Sequence, residues 1–257
     1  MDFAFTQEQR IFKDQVIRFA AKEIVPRVQA HDLAGEFDFQ SFRRLGEFGI
    51  LGLHFPEALG GSDADVVTTV MAGEALGEAG VDGGLCLAYG AHTFLCADTI
   101  LSHGTPAQQE RYIPRLASGE WIGCMGLTEP GAGSDVASMS TRAQKQGDRY
   151  RLNGNKMFIT NGPVADVAVV YAKTGKDLHH GGISAFIVEK GTPGFSVGKN
   201  IQKMGVRTSH TSELIFEDCE IPEQNLIGPE GGGFLMALQT VEWDRSALLA
   251  PFVGGIS

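Results

Sequence analysis

The hydrophobic period of the chain changes twice, and this constrains the fold more than any other feature. Up to Trp121 apolar side chains recur at helical spacing, from there to Glu230 they alternate, and from Gly231 the helical spacing returns. A helix buries a stripe and a strand buries a face, so blocks of each pattern imply an α+β chain with segregated elements. The reading is an N-terminal all-helical domain over 1–121 and a β-barrel-like middle domain over 122–230. The first helix of an incomplete C-terminal helical bundle follows over 231–257.

Within the first block, Thr6 and Gln9 form a capping-box pattern, and Phe12, Val16, Phe19 and Ala20 follow until Pro26 stops the run. Ser41 is expected to open a short helix through Leu45 and Phe48 that ends at Gly49. Val66, Val67, Val70, Met71 and Ala75 place another. Leu85 to Leu101 is apolar on nearly every face, which predicts a helix enclosed by the others. Thr105-Pro106 with Gln108 caps the next, and Gly119 closes it.

In the second block, Tyr150 and Leu152, the dipeptide Asn153-Gly154, then Met157 and Ile159 predict a β-hairpin. Further strands are expected over 167–171, 183–188, 195–197 and 212–216. Phe234, Leu238, Val241 and Leu248 mark the last helix, which Pro251 should kink or end.

With 43% apolar content in 257 residues, the chain can build a sizeable core. Its net charge of −10, with no basic cluster longer than Arg43-Arg44, argues against nucleic acid as a partner. No run approaches the roughly 20 apolar residues of a membrane span, and the N-terminus lacks the order of a secretory signal, so a cytoplasmic protein is expected. Cys86, Cys96, Cys124 and Cys219 show no ligand spacing and read as buried thiols. His179-His180 reads as a solvated turn, and no metal is expected.

Leu127 to Asp135, LTEPGAGSD, combines a hydroxyl (Thr128), an acid (Glu129), a Pro-Gly bend and a second hydroxyl (Ser134) where helix gives way to strand. Its glycines let backbone N–H groups approach a large ligand. By spacing alone it is neither a P-loop nor a dinucleotide turn, and an ordinary Gly-rich connector is the competing reading.

TEPGAGSD followed by GNKMFITNG (Gly154 to Gly162) resembles the paired flavin-binding signatures of the acyl-CoA dehydrogenase family. The resemblance continues in Lys203 to Gly228 and in the turn Pro56 to Gly61, and it covers essentially all 257 residues. It implies FAD as cofactor. Met125, Leu127 and Thr128 would line the pyrimidine side of the flavin, where donors stabilise the charge that builds as the ring accepts hydride. Gly133 and Ser134 would also contact the cofactor, Ser134 facing the phosphates and the pantetheine arm of the substrate. Phe158, Ile159 and Thr160 would pack on the ring and donate near N5. Many relatives carry Trp at the position of Phe158, which reads equally as a core aromatic.

The resemblance also implies α,β-dehydrogenation of an acyl thioester, in which a carboxylate removes the α-proton while the β-hydrogen leaves as hydride. Most relatives take that base from a C-terminal loop. A subgroup resembling isovaleryl-CoA and long-chain dehydrogenases takes it from the helix that opens the third domain, immediately before an arginine. Here Asp244 precedes Arg245 in TVEWDRSALLAP, on a stripe with Val241 and Leu248. Asp244 reads either as the base or as a carboxylate paired with a neighbour or exposed. Arg245 and Val241 would join Ser134 in binding the substrate, acyl-CoA or an acyl group on a carrier protein. Electron-transferring flavoprotein is the implied electron acceptor, with an oxidase as a further possibility. A homo-oligomer, dimer or tetramer, or a heteromer is expected. The alternative function is an incomplete, non-catalytic flavoprotein subunit that needs a C-terminal helical domain from a partner.

Overall fold

A computed structural model describes residues 4–175 and 182–256, so His179-His180 lies outside the described residues. Helix α1 (Gln7–Glu23) begins on the Thr6 capping box, in which Thr6 accepts from Gln9 N–H and Gln9 reaches back to Thr6 N–H. Pro26 ends that run and sits in the first turn of α2 (Val25–Ala34), where its missing N–H costs nothing. Helix α3 (Phe39–Glu47) starts earlier than expected. Its cap is Asp38, not Ser41, because the Asp38 carboxylate accepts both the Ser41 N–H (3.0 Å) and hydroxyl (2.7 Å) and also pairs with Arg27.

Helix α4 (Val66–Glu78) is followed by α5 (Gly83–Gly90), a π-helical turn over Ala91–Ala97 and α6 (Asp98–His103). Contrary to the sequence reading, this continuous helix is apolar and long enough to cross a membrane by length and composition. However, 83% of its most apolar window is buried inside the protein. Small residues such as Gly84, Ala88 and Gly90 fit a helix surrounded by others. Helix α7 (Pro106–Ala117) starts on the second capping box at Thr105.

Among the described residues eight strands follow: β1 (Gly123–Gly126), β2 (Arg142–Gln146), β3 (Arg149–Thr160), β4 (Val167–Lys173), β5 (Ile183–Glu189), β6 (Phe195–Val197), β7 (Thr211–Pro222) and β8 (Leu226–Ile227). They form a mixed sheet in the order β6-β7-β3-β2-β4-β5-β8, with β1 parallel to β4. The expected hairpin at Asn153-Gly154 is not formed. β3 runs unbroken through the dipeptide with a register shift there, because β7 pairs along both halves of the strand. Gly154 adopts φ +140°, and a Cβ on it would lie 2.5 Å from Thr141 Oγ1, so the dipeptide is a bulge against Thr141. The reversal lies at Gly147-Asp148, between β2 and β3.

The central strands β4 and β5 are buried on both faces. On one face Val167, Val169, Tyr171, Ile183 and Ile187 meet Ile100, Ile113 and Leu116 from the helices. On the other, Val170, Phe186 and Val188 meet Tyr150, Leu214 and Phe216, with the Tyr150 and Phe186 rings 4.9 Å apart. The sheet therefore curls over its own core, in keeping with a barrel-like layer. The chain ends in α8 (Gly233–Ala247) and α9 (Ala250–Gly254), with Pro251 restarting the helix after a break at Leu248-Leu249. Helix α9 crosses α4 at near contact. A Cβ on Gly77 would lie 1.8 Å from Pro251 O, and one on Gly254 would lie 1.9 Å from Glu74 O.

Candidate active site

The site is assembled where β1, β3, α8 and the π-turn converge. β1 is fixed by its pairing with β4 and by His92, a fully buried ring whose Nδ1 accepts the Gly123 N–H at 2.9 Å. Its Nε2 faces Leu116 O at 3.0 Å. Burial pushes the His92 pKa down to about 4, against the Leu116 bond that favours charge, so the ring stays neutral and donates from Nε2.

Beyond β1 the chain turns through Leu127 and Thr128 to a tight turn closed by the Glu129–Ala132 bridge. Below it lies a buried ion pair that the sequence reading missed. Lys156 Nζ sits 2.7 Å from Glu129 Oε1 and 3.2 Å from Leu127 O, with side-chain exposures of 0% and 2% for Lys156 and Glu129. Glu129 also accepts from Thr141 N–H, Ser140 N–H and Ser140 Oγ–H. Burial alone would raise the Glu129 pKa, but the Lys156 ammonium and these donors outweigh it and hold the carboxyl at about 2. Burial brings Lys156 down to about 8, against the pull of Glu129, so the pair is ionised at neutral pH. The expected hairpin, with Met157 and Ile159 turned inward, places Lys156 on the outward face, whereas in the unbroken β3 it is buried.

One residue later, Met157 N–H donates to Thr128 O at 2.8 Å. The register of β3 then slips between Lys156 and Ile159, and this second bulge turns Phe158 out of the sheet. Phe158 takes φ +60° and is 62% exposed. A left-handed conformation in a bulky residue stores strain, and such strain concentrates at functional sites. Asn161, also at positive φ, is fully buried and donates from Nδ2 to Ala88 O and Gly123 O.

These elements enclose a cavity of about 240 Å³. Met125, Leu127 and Thr128 line it from the β1 side, Phe158, Ile159 and Thr160 from β3, and Val241 and Asp244 from α8. Ala91 and Leu95 of the π-turn also line it, unforeseen from the sequence because an apolar helix gives no sign of where its turn widens. Asp244 Oδ1 is buried without a hydrogen-bond partner. Burial raises the Asp244 pKa to about 6, although Arg245 opposes it. Gly133, Ser134 and Arg245 do not line the cavity and are exposed. A larger cavity of about 450 Å³ between α6 and α8 holds none of the expected residues. The strained Phe158 and the unpartnered Oδ1 of Asp244 single out the smaller one.

Residues 6–120 match the N-terminal domain of the acyl-CoA dehydrogenase family, and residues 124–219 match its middle domain. The solved prolyl acyl carrier protein oxidase AnaB superposes with a TM-score of 0.96 at 38% identity, covering 98% of this chain and 67% of that one. The chain belongs to the acyl-CoA dehydrogenase family. It is 44% identical over 249 residues to a family relative, the mitochondrial isovaleryl-CoA dehydrogenase of Pongo abelii, covering 95% of this chain and 58% of that protein. A solved FAD complex of PigA matches with a TM-score of 0.96 and 34% identity over the whole of this chain and 67% of its own. The chain thus spans roughly three-fifths to two-thirds of the length of the family members it matches.

Proposed function

We propose that the protein dehydrogenates an acyl thioester between Cα and Cβ and passes the electron pair to electron-transferring flavoprotein. The observation that carries this reading is Asp244, a half-buried carboxylate whose Oδ1 is buried without a hydrogen-bond partner, in the same cavity as Leu127, Thr128 and Thr160. Burying a carboxyl unpaired is unfavourable, and such a group in a cleft fits a proton acceptor.

FAD is the cofactor. The cavity fits its ring system, with Met125, Leu127 and Ile159 as apolar walls and the Thr128 and Thr160 hydroxyls and nearby backbone for its polar edge. When bound, it supplies the acceptor for the β-hydrogen as hydride. The protein then has four tasks. Asp244 takes the α-proton, and a pKa near 6 keeps it ionised yet basic at neutral pH. Leu127 and Thr128 hold donors against negative charge as it develops. Phe158 covers the cavity from the β3 side. Arg245, beside Asp244 in sequence but exposed, orients the thioester where it leaves the cavity.

The test is anaerobic mixing of the FAD-loaded protein with short acyl-CoA and acyl-carrier-protein thioesters, following loss of the oxidised flavin bands. Bleaching by either substrate, abolished in Asp244→Asn with FAD still bound and retained in Asp244→Glu, is the expected result. Equal bleaching by parent and Asp244→Asn removes Asp244 from the reaction.

A further inference from the structure

The Lys156 ammonium touches the Glu129 carboxylate, the carbonyl oxygen of Leu127 and, more distantly, the Met139 sulfur. That carbonyl belongs to the Leu127–Thr128 peptide unit, whose other end is the Thr128 N–H, and both residues line the cavity. A cation on the oxygen of an amide draws electron density toward it and makes the N–H a stronger donor, and in a low-dielectric interior such polarisation is poorly screened. Met157 N–H caps the next carbonyl, Thr128 O, so donors occupy two successive carbonyls behind the cavity wall.

We infer that Lys156 is a positioning residue that tunes the flavin. Through the Leu127–Thr128 peptide it strengthens the donor offered to the pyrimidine edge and so favours the reduced, more negative ring. Glu129 has the complementary task. It keeps Lys156 charged in the interior and fastens it to the Ser140–Thr141 segment, so the ammonium cannot swing from Leu127 O. The geometry also explains why an ion pair costly to bury sits behind a cavity wall rather than at the surface. The inference rests on FAD occupying this cavity.

The experiment measures the midpoint potential of bound FAD in the parent and in the double variant Glu129→Gln/Lys156→Met, which removes both charges while keeping similar shapes. The variant should favour reduced over oxidised flavin at least tenfold less, a drop of about 30 mV for a two-electron couple. A variant that retains the cation, Lys156→Arg, should keep the parent potential if it folds. A double variant that binds FAD with its potential within twofold of the parent in the same equilibrium constant overturns the inference.

Should the double variant not fold, the parent decides. Loss of the Lys156 proton near pH 8 must add a downward break to the potential there, and a potential without that break overturns the inference. Glu129 is the charged group in contact with Lys156 among the described residues, and held at about 2 it stays ionised throughout. A parent that remains colourless and gains no thermal stability with FAD instead overturns the placement of FAD itself.

Discussion

Met157 N–H donates to Thr128 O across 2.8 Å, and together with the Lys156–Glu129 pair this bond joins the two flavin-type signatures into one wall. The segments lie about thirty positions apart in the sequence.

Phe158 is the first place to test that wall. Phe158→Gly removes a left-handed conformation worth about 1–2 kcal/mol of strain, so the apoprotein should lose little stability despite losing an aromatic ring. FAD affinity should fall by about tenfold, because the ring of Phe158 lines the cavity. Calorimetry of the apoprotein and FAD titration check the two effects separately. A large fall in apoprotein stability would mean that Phe158 serves the core.

Asp244 should trade stability for function. Its folded pKa, about 6, lies above the ordinary 3.8, so the folded protein binds the proton more tightly. The destabilisation is therefore absent below about 3.8, grows between the two values and is complete above about 6. Asp244→Asn should raise stability by about 1 kcal/mol above pH 6 and have no effect at pH below 3.8. In the parent protein, flavin reduction by substrate should rise with pH through about 6. Denaturation at two pH values and a pH–rate profile test both signs.

Glu129 behaves in the opposite sense. Its folded pKa of about 2 lies below the ordinary 4.5, so its stabilisation is complete above 4.5 and is lost as pH falls toward 2. Glu129→Gln leaves Lys156 buried beside a neutral partner and should cost about 3–5 kcal/mol, whereas adding Lys156→Met should recover much of that loss. Urea denaturation of the two variants reads the difference directly. Equal losses in both would mean that the pair contributes nothing as a pair.

Leu235, Leu238, Leu249 and Val253 leave an apolar face of α8 and α9 exposed, each more than half accessible. Such a face favours association, and we expect a homo-oligomer or a complex with a helical partner at micromolar concentration. Leu235→Lys/Leu238→Glu should shift the species toward monomer. Light scattering that finds parent and variant equally monomeric dismisses this face as a contact.

Boundaries written in local chemistry were legible in the sequence. The Thr6 and Thr105 capping boxes and the break before Pro251 formed as read, because each depends on groups within one turn of chain. Features decided by partners distant in sequence were not. Asn153-Gly154 has the composition of a hairpin turn, yet β7 spans both its flanks and holds it as a bulge. Lys156 falls on the outward face of that expected hairpin, yet the folded strand buries it against Glu129, nearly thirty positions earlier. The three arms of the cavity were assembled by family resemblance, since no periodicity links Thr128, Thr160 and Asp244. Ala91 and Leu95 escaped even that, because a π-turn inside a uniformly apolar helix leaves no mark in its composition.

Helix α8 is held at two ends by different parts of the molecule. At its start Gly233 sits on β5, where a Cβ would lie 2.9 Å from Ile183 O, and at its end α9 is locked across α4. Asp244 therefore rides on a beam supported at one end by the sheet and at the other by the helical layer. Its reach into the cavity is set by those two supports together with the ties of Thr240 to Thr99 and of the adjacent Trp243 to His54 along the helix. An enlargement at Gly77, remote from the cavity, would lift one support and withdraw the carboxylate without touching any residue that lines the site.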